Sequence, residues 1–382
     1  MTNAITVLFA GIFCFVVGLQ VLSCALVVWR LRRSDPLPLP GIHPPLSVIR
    51  PVCGLDLYLY ETLATSFSDL AGNYEVFFCV ADSVDPAIPL IRRLLAEHPG
   101  VSARLLIGVD LISGNPKLNN VAKGWNAARH DSIVIIDSNV LLPRDYVQKL
   151  FATMHKDTGL VTSPPVGIRA EGIWARVEGA FLNTYQDRWQ MASDQLGKGF
   201  AQGKVLFWRR EVLEAAGGLA VLGRDLAEDV ASTKVVRAAG LKVRVVRRPF
   251  PQPLGQRRFG EVWSRQLRWA RVRRDGFPLL FALEPLTGMI LPLVAVITLA
   301  LIGTVRPLMV LLFPCLWYGS ELLVARQANW PATAADVLAW VIRDFLMLAI
   351  WIDAFAAKGF VWRGNAMQPP PLRTVAPIRT VE

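Results

Sequence analysis

Residues 133–142 read Ile-Val-Ile-Ile-Asp-Ser-Asn-Val-Leu-Leu. Four apolar, mostly β-branched side chains run straight into an acid, a serine and an amide. An apolar run of this length with no polar alternation fits a strand buried on both faces, as in a mostly parallel sheet covered by helices. Such open sheets take their ligands beyond the carboxyl ends of their strands. Asp137 stands at that edge.

The neighbouring chain repeats the pattern. Residues 46–51, 74–82 and 103–108 read as short buried strands, and 58–70, 86–98 and 119–129 as the helices between them. Past Pro143 the alternation loosens. Residues 159–163 and 203–213 suggest further strands, the second running into a helix. Residues 226–240 suggest a helix that opens with acids, where the positive end of its dipole favours them. Residues 242–248 alternate as a strand. The fold class expected is therefore α/β with a mostly parallel sheet.

Composition adds membrane segments at both ends. Of 382 residues, 53% are hydrophobic and only 19% charged, with a mean hydropathy of +0.38; a soluble domain of this size carries more charge. Residues 5–29 are long and apolar enough to cross a bilayer. They are followed by Arg30, Arg32 and Arg33, with no Lys or Arg before them. That polarity suits an uncleaved anchor rather than a secretory signal, and the positive-inside rule puts the middle of the chain in the cytoplasm. Residues 286–355 are apolar again, broken by Arg306-Pro307 and by 326–336 into three candidate spans. The last contains Arg343, Asp344 and Asp353, so it reads as partly re-entrant or interfacial.

The domains expected are an anchor at 1–33, a Pro-rich linker at 34–45, one catalytic domain at 46–282, C-terminal transmembrane or interfacial helices at 283–358 and a tail at 359–382. The formal charge of +11 beside membrane segments points to anionic headgroups and phosphorylated substrates, not to nucleic acid. Five cysteines without a CxxC pair and four scattered histidines without HExxH argue against a disulfide framework or a zinc site.

Three features carry chemistry. Asp137 followed by Ser138 and Asn139 suits a hard divalent cation bridging a diphosphate, with Asp82 at the end of the neighbouring strand placed for the nucleoside. Asp229, in Ala-Glu-Asp, is either one of two acids at a helix start or a general base. Arg265, Arg268 and Trp269 share one helical face and offer donors for a leaving diphosphate beside a flat ring.

Together these residues resemble the ceramide glucosyltransferase family, membrane enzymes of GT-A fold whose pattern is three aspartates followed by (Q/R)XXRW. The aspartates match Asp82, Asp137 and Asp229, and the last motif matches Arg-Gln-Leu-Arg-Trp at 265–269. The stretches 114–120 (Gly-Asn-Pro-Lys-Leu-Asn-Asn) and 214–219 (Glu-Ala-Ala-Gly-Gly-Leu) also resemble family signatures. The resemblance covers residues 46–282 and is that of a bacterial-type member in the inner membrane.

It implies an inverting, metal-dependent transfer of a hexose, by family default glucose, from a UDP-sugar to a lipid hydroxyl, by default ceramide. Asp82, Lys117, Arg265, Arg268 and Trp269 would bind the donor, Asp137 the Mg²⁺ or Mn²⁺, and Asp229 would be the base. Gln186 stands where the animal enzymes carry a histidine, which leaves the acceptor open to diacylglycerol or a hopanoid. A processive polysaccharide synthase shares the same motifs and is the rival enzyme; a non-catalytic membrane scaffold is the rival outside enzymes.

Overall fold

The computed structural model describes residues 2–33, 43–67, 73–357, 359–362 and 365–367. Most of the expected Pro-rich linker, the end of the helix expected at 58–70 and nearly all of the tail lie outside these residues.

Nine strands lie between the terminal apolar helices: β1 (Leu46–Val52), β2 (Tyr74–Val80), β3 (Ser102–Ile107), β4 (Ser132–Ile136), β5 (Thr158–Thr162), β6 (Val166–Glu171), β7 (Val205–Arg209), β8 (Lys242–Val245) and β9 (Pro251–Gln256). Seven form one sheet in the order β3-β2-β1-β4-β7-β5-β8. All neighbours are parallel except β7, which runs antiparallel to both β4 and β5. Every residue of β1 and β2 is buried, as two covered faces require. Leu59, Ile91 and Leu94 with Tyr146 cover one face; Leu118, Trp125, Leu213 and Val236 cover the other.

The remaining strands, β6 and β9, pair in parallel as a separate ribbon. The sequence gives no hint of them. β9 opens Pro-Gln-Pro, and proline lacks the N–H that a central strand needs, so only a two-stranded edge setting tolerates it. Also unforeseen is the long helical run from Gly172 to Gln195, which loosens into a π-helix at Phe181–Asp187.

Among the described residues two helices are long and apolar enough to cross a membrane: the N-terminal one, Thr2–Arg32, and Leu308–Ala328. They run side by side in the same direction. Phe13 packs on Phe313 with centroids 5.3 Å apart, Gln20 Nε2 donates to Ser320 Oγ at 3.2 Å, and Leu31 shares a cavity with Ala328, Asn329 and Trp330. A segment between them must therefore run the other way. Helix Ile290–Leu301 does so with 12 residues, about 18 Å at 1.5 Å per residue, against a hydrocarbon core of about 30 Å.

The three spans expected at 286–355 thus correspond to one helix long and apolar enough to span, one short apolar helix, and a third helix of a different kind. In Ala334–Asp353 the charged residues Asp336, Arg343 and Asp344 are buried against protein, while Leu338, Phe345 and Ile352 are exposed. This is a soluble helix's amphipathicity turned inside out. Its polar face rests on Gly172–Ala180 and on the helix Phe259–Gly276.

That polar face closes on itself electrostatically. Arg343 reaches Glu321 at 3.0 Å and Asp344 at 3.1 Å, and donates to Thr184 Oγ1 at 2.6 Å; Tyr318 donates to Asp344 at 2.9 Å. Replacing Arg343 by Met leaves two buried carboxylates without their cation, a cost of about 3–5 kcal/mol. We expect Arg343→Met to lower the thermal midpoint of the detergent-solubilised chain markedly, and Leu338→Ala to leave it almost unchanged.

Candidate functional site

The carboxyl edge of the sheet gathers charge from four separate segments. β4 ends at Ile136, and its antiparallel partner β7 begins opposite, with Ile136 in register with Val205. Asp137 N donates to Lys204 O at 2.9 Å, carrying the ladder one step past the strand. This pairing brings Gly203 and Lys204 beside Asp137. Arg50, wholly buried in the middle of β1, holds the loop that follows: its Nη2 donates to the carbonyls of Ser138 at 3.3 Å and Val140 at 3.1 Å. Burial lowers Arg50 to about 10.

Lys117 arrives from the helix Pro116–Ala127. Asn115 caps that helix, its Oδ1 accepting from Lys117 N at 2.9 Å, with Pro116 in the first turn. Asn-Pro-Lys is a helix start with a lysine aimed across it. Lys117 Nζ then lies 2.6 Å from Asp137 Oδ1, 2.7 Å from Glu228 Oε1 and 2.7 Å from the Gly203 carbonyl. Asn115 Nδ2 donates to the other oxygen of Glu228 at 3.2 Å. A Cβ at Gly203 would stand 2.8 Å from Glu228 Oε1 and push that carboxylate from its place beside Lys117. A second ammonium, Lys204 Nζ, lies 3.2 Å from Asp137 Oδ2 and 3.0 Å from Asn139 Oδ1.

These contacts set the protonation states. Burial alone would raise Asp137, but Lys117 and Lys204 outweigh it and hold the carboxyl at about 2. Burial likewise opposes the charge on Lys117, and Asp137 and Glu228 overcome it, so its pKa is raised. Asp229, next to Glu228 in the first turn of Glu228–Ala238, moves the other way. Burial and then the Glu228 charge push it up to about 6, while the Gly203 N–H, which donates to Asp229 Oδ2 at 3.1 Å, and Lys117 pull it partly back.

The other expected residues lie around this centre. Asp82 follows β2 and is exposed, its Oδ1 accepting from Val84 N at 3.1 Å. β1 stands between β2 and β4, so Asp82 and Asp137 are not on neighbouring strands as the sequence suggested. Two strand spacings, about 10 Å, separate the strands that carry them, and by the register Asp82 lies about three residues further along than Asp137. Arg265 pairs with the buried Glu178, as does Arg257 at 3.2 Å, and the Arg265 charge also bears on Lys204. Arg268 and Trp269 are half-buried on the same helix. Gln186, in the π-helical stretch, donates to Gln266 of the Arg-Gln-Leu-Arg-Trp motif at 3.1 Å.

Sequence reasoning missed four contributors. Glu228 passed as one more acid at a helix start, and Lys204 and Gly203 carried no motif. Arg50 left a signal, a lone cation inside an apolar strand. Among the described residues no three His, Cys, Asp or Glu side chains cluster as a ready-made metal site. The oxygens of Asp137 and Asn139 nevertheless converge on the Lys204 ammonium, so the donor set suits a hard cation that takes its remaining ligands from a bound diphosphate.

Comparison with known proteins gives the same direction. Residues 10–371 match the family model described as Glycosyl transferase family 21. Ceramide glucosyltransferase 1 of Caenorhabditis elegans is 28% identical over 348 residues, covering 88% of this chain and 74% of that protein. Ceramide glucosyltransferase 3 of the same animal is 26% identical, covering 94% and 79%. Among solved structures, a mannosyltransferase from Pyrobaculum calidifontis in complex with GDP-Man and Mn²⁺ shares the fold, with a TM-score of 0.53, 15% identity and coverage of 93% of this chain and 99% of that one.

The raised carboxyl is directly observable. In infrared difference spectra the protonated-carboxyl band that Asp229→Asn removes should grow in as the pH falls through about 6. Lys117→Met takes away a neighbouring positive charge that favours the anion, so the same band should grow in at a higher pH.

Proposed function

The chain belongs to glycosyl transferase family 21, and on that premise we propose that it moves a hexose, glucose by its relatives' names, from a UDP-sugar to the primary hydroxyl of a membrane lipid. Ceramide is the first acceptor to expect, since the curated relatives are ceramide glucosyltransferases. The observation that carries this reading is the neighbourhood of Asp229: a half-buried carboxyl poised at about 6, joined through Gly203 and Lys117 to an Asp137 held ionised.

Asp82 would hold the nucleoside at the end of β2, and its place two strands from Asp137 along the same sheet edge suits a ligand extending from base to diphosphate. A Mg²⁺ or Mn²⁺ ion, held by Asp137 with Asn139, would supply positive charge to the diphosphate, as Mn²⁺ accompanies GDP-Man in the mannosyltransferase of the same fold. Ionised Asp229 takes the proton from the lipid hydroxyl. The hydroxyl oxygen bonds to the anomeric carbon on the face opposite UDP while the bond to UDP breaks, and the configuration inverts. Lys117, Arg265 and Arg268 receive the charge that grows on the leaving diphosphate, and Trp269 packs against the donor. A base near 6 is ionised at neutral pH yet remains a better proton acceptor than an ordinary aspartate.

The domains would be the anchor at 1–33, the linker at 34–45, the transferase at 46–282 and the C-terminal membrane helices at 283–358. With Arg30, Arg32 and Arg33 at the domain end of the first helix, the transferase would face the cytoplasm from a bacterial inner membrane.

Membranes containing the chain, given labelled UDP-sugars with ceramide, diacylglycerol or a hopanoid, test the reading. We expect a labelled glycolipid, lost on chelation and restored by Mn²⁺ or Mg²⁺. Asp229→Asn should lower kcat by a factor of about 10²–10⁴. Because the base must be ionised, kcat/KM should fall as the pH drops below about 6. Label found only in a long polymer would favour a processive synthase instead, and transfer unaffected by Asp229→Asn would remove Asp229 as the base.

A further inference from the structure

The helix that carries the Arg-Gln-Leu-Arg-Trp motif, Phe259–Gly276, ends against the proposed base. A Cβ on Gly276 would lie 2.8 Å from Val230 Cγ1, one residue from Asp229. Just before that end, Arg273 grips Glu284, Nε to Oε1 at 2.5 Å and Nη2 to Oε2 at 3.1 Å. Burial opposes the Arg273 charge; Glu284 restores it, with Asp229 contributing more weakly, so pair and base lie within electrostatic reach of one another. Nη1 of Arg273 has no hydrogen-bond partner among the described residues. Beyond Glu284 a small polar chain continues: Thr287 Oγ1 donates to the Glu284 carbonyl at 2.6 Å and meets Tyr185 OH at 3.1 Å.

Between Gly276 and Glu284 runs the short helix Pro278–Ala282. Phe281 is buried against Trp351, whereas Leu279, Leu280 and Leu283 are 82%, 65% and 54% exposed. Three exposed leucines beside a charged site are a poor surface for water. The chain passes from them directly into the apolar helix Ile290–Leu301, so the patch is continuous with the membrane segments. Apolar surface and a polar headgroup position thus follow one another along a single segment whose start packs against Val230, next to the base.

We propose that residues 273–287 form the acceptor-lipid site, with Leu279, Leu280 and Leu283 against the lipid chains and Arg273, Glu284 and Thr287 around an uncharged, hydrogen-bonding headgroup whose hydroxyl reaches Asp229. This rests on the glycosyl-transfer reading above. The closed Arg273–Glu284 pair carries no net charge. It offers acceptor lone pairs and the spare Nη1 donor to hydroxyl or amide groups, and gives an anionic headgroup no unbalanced cation. A neutral lipid with a hydroxyl or amide head fits; a phospholipid that presents a hydroxyl on an anionic head does not.

The test uses the full chain in phosphatidylcholine nanodiscs, with a photoreactive residue in place of Leu280 or, separately, of Leu311, which is 70% exposed on the spanning helix. Tritiated ceramide and tritiated diacylglycerol are offered in parallel arms. Labelling at 280 should saturate and be displaced by excess unlabelled neutral lipid but not by equal phosphatidylglycerol, while labelling at 311 should not saturate. Leu280→Ser with Leu283→Ser should raise the acceptor KM at least about tenfold. Labelling at 280 that is as unsaturable as at 311, in a protein that does transfer sugar, overturns the site. Displacement by phosphatidylglycerol overturns the neutral headgroup. Saturable labelling in a protein that transfers nothing keeps the site and removes the transferase reading.

Discussion

One ammonium group holds the carboxyl edge of the sheet together. Lys117 Nζ lies within 2.7 Å of oxygens from Asp137, Glu228 and Gly203, so a loop after β4, the start of the helix Glu228–Ala238 and the turn before β7 are pinned to the start of a fourth segment. Without that cation, three half-buried acids would stand close together, and their repulsion would keep them apart or protonated. With it, one acid is driven fully ionised and another is left poised near 6. The environment separates two chemically identical side chains into two states, which is what a site needs if one carboxylate is to stay an anion while the other exchanges a proton.

Much of this was legible in the sequence. Buried strands announce themselves as unbroken apolar runs, so β1, β2, β3 and β4 were found within a residue or two, and each acid at a strand end pointed to the sheet's ligand edge. The spacing of Arg265, Arg268 and Trp269 placed them on one helix face. What escaped was set by pairing across distance. Lys204 matters only because β7 enters the sheet antiparallel beside β4, and nothing local in Gly-Lys-Val-Leu-Phe says so. Glu228 belongs to the centre because Lys117 reaches it from a helix more than a hundred residues earlier. β6 and β9 escaped because each looks like loop until the other is present.

The C-terminal helices show why hydropathy alone miscounts. Ala334–Asp353 looks like a damaged span because its charges are read as facing lipid. In the folded chain Asp336, Arg343 and Asp344 face protein, and the side left over, with Leu338, Phe345 and Ile352, is the apolar one. The same residues that spoil it as a span qualify it as the support beneath the π-helical stretch and the arginine helix. Polarity in a membrane protein is a statement about neighbours, and neighbours come from tertiary structure.

The hydrogen bond from Gln20 to Ser320 joins residues 300 positions apart. A ribosome makes the first helix long before the helix that will receive it. Through the whole synthesis of the transferase domain, Gln20, Ser23 and Cys24 must sit in lipid, or against a helper, with their eventual partners unborn. The modest polarity of that face, amide, hydroxyl and thiol rather than carboxylate or guanidinium, is what a helix can carry while it waits. In the C-terminal helices the full charges, Arg343 with Glu321 and Asp344, lie within about two dozen residues of one another, so each can be neutralised almost as soon as it appears; in the first helix the one buried charge, Arg30, sits in the last turn, where it pairs with Asp194.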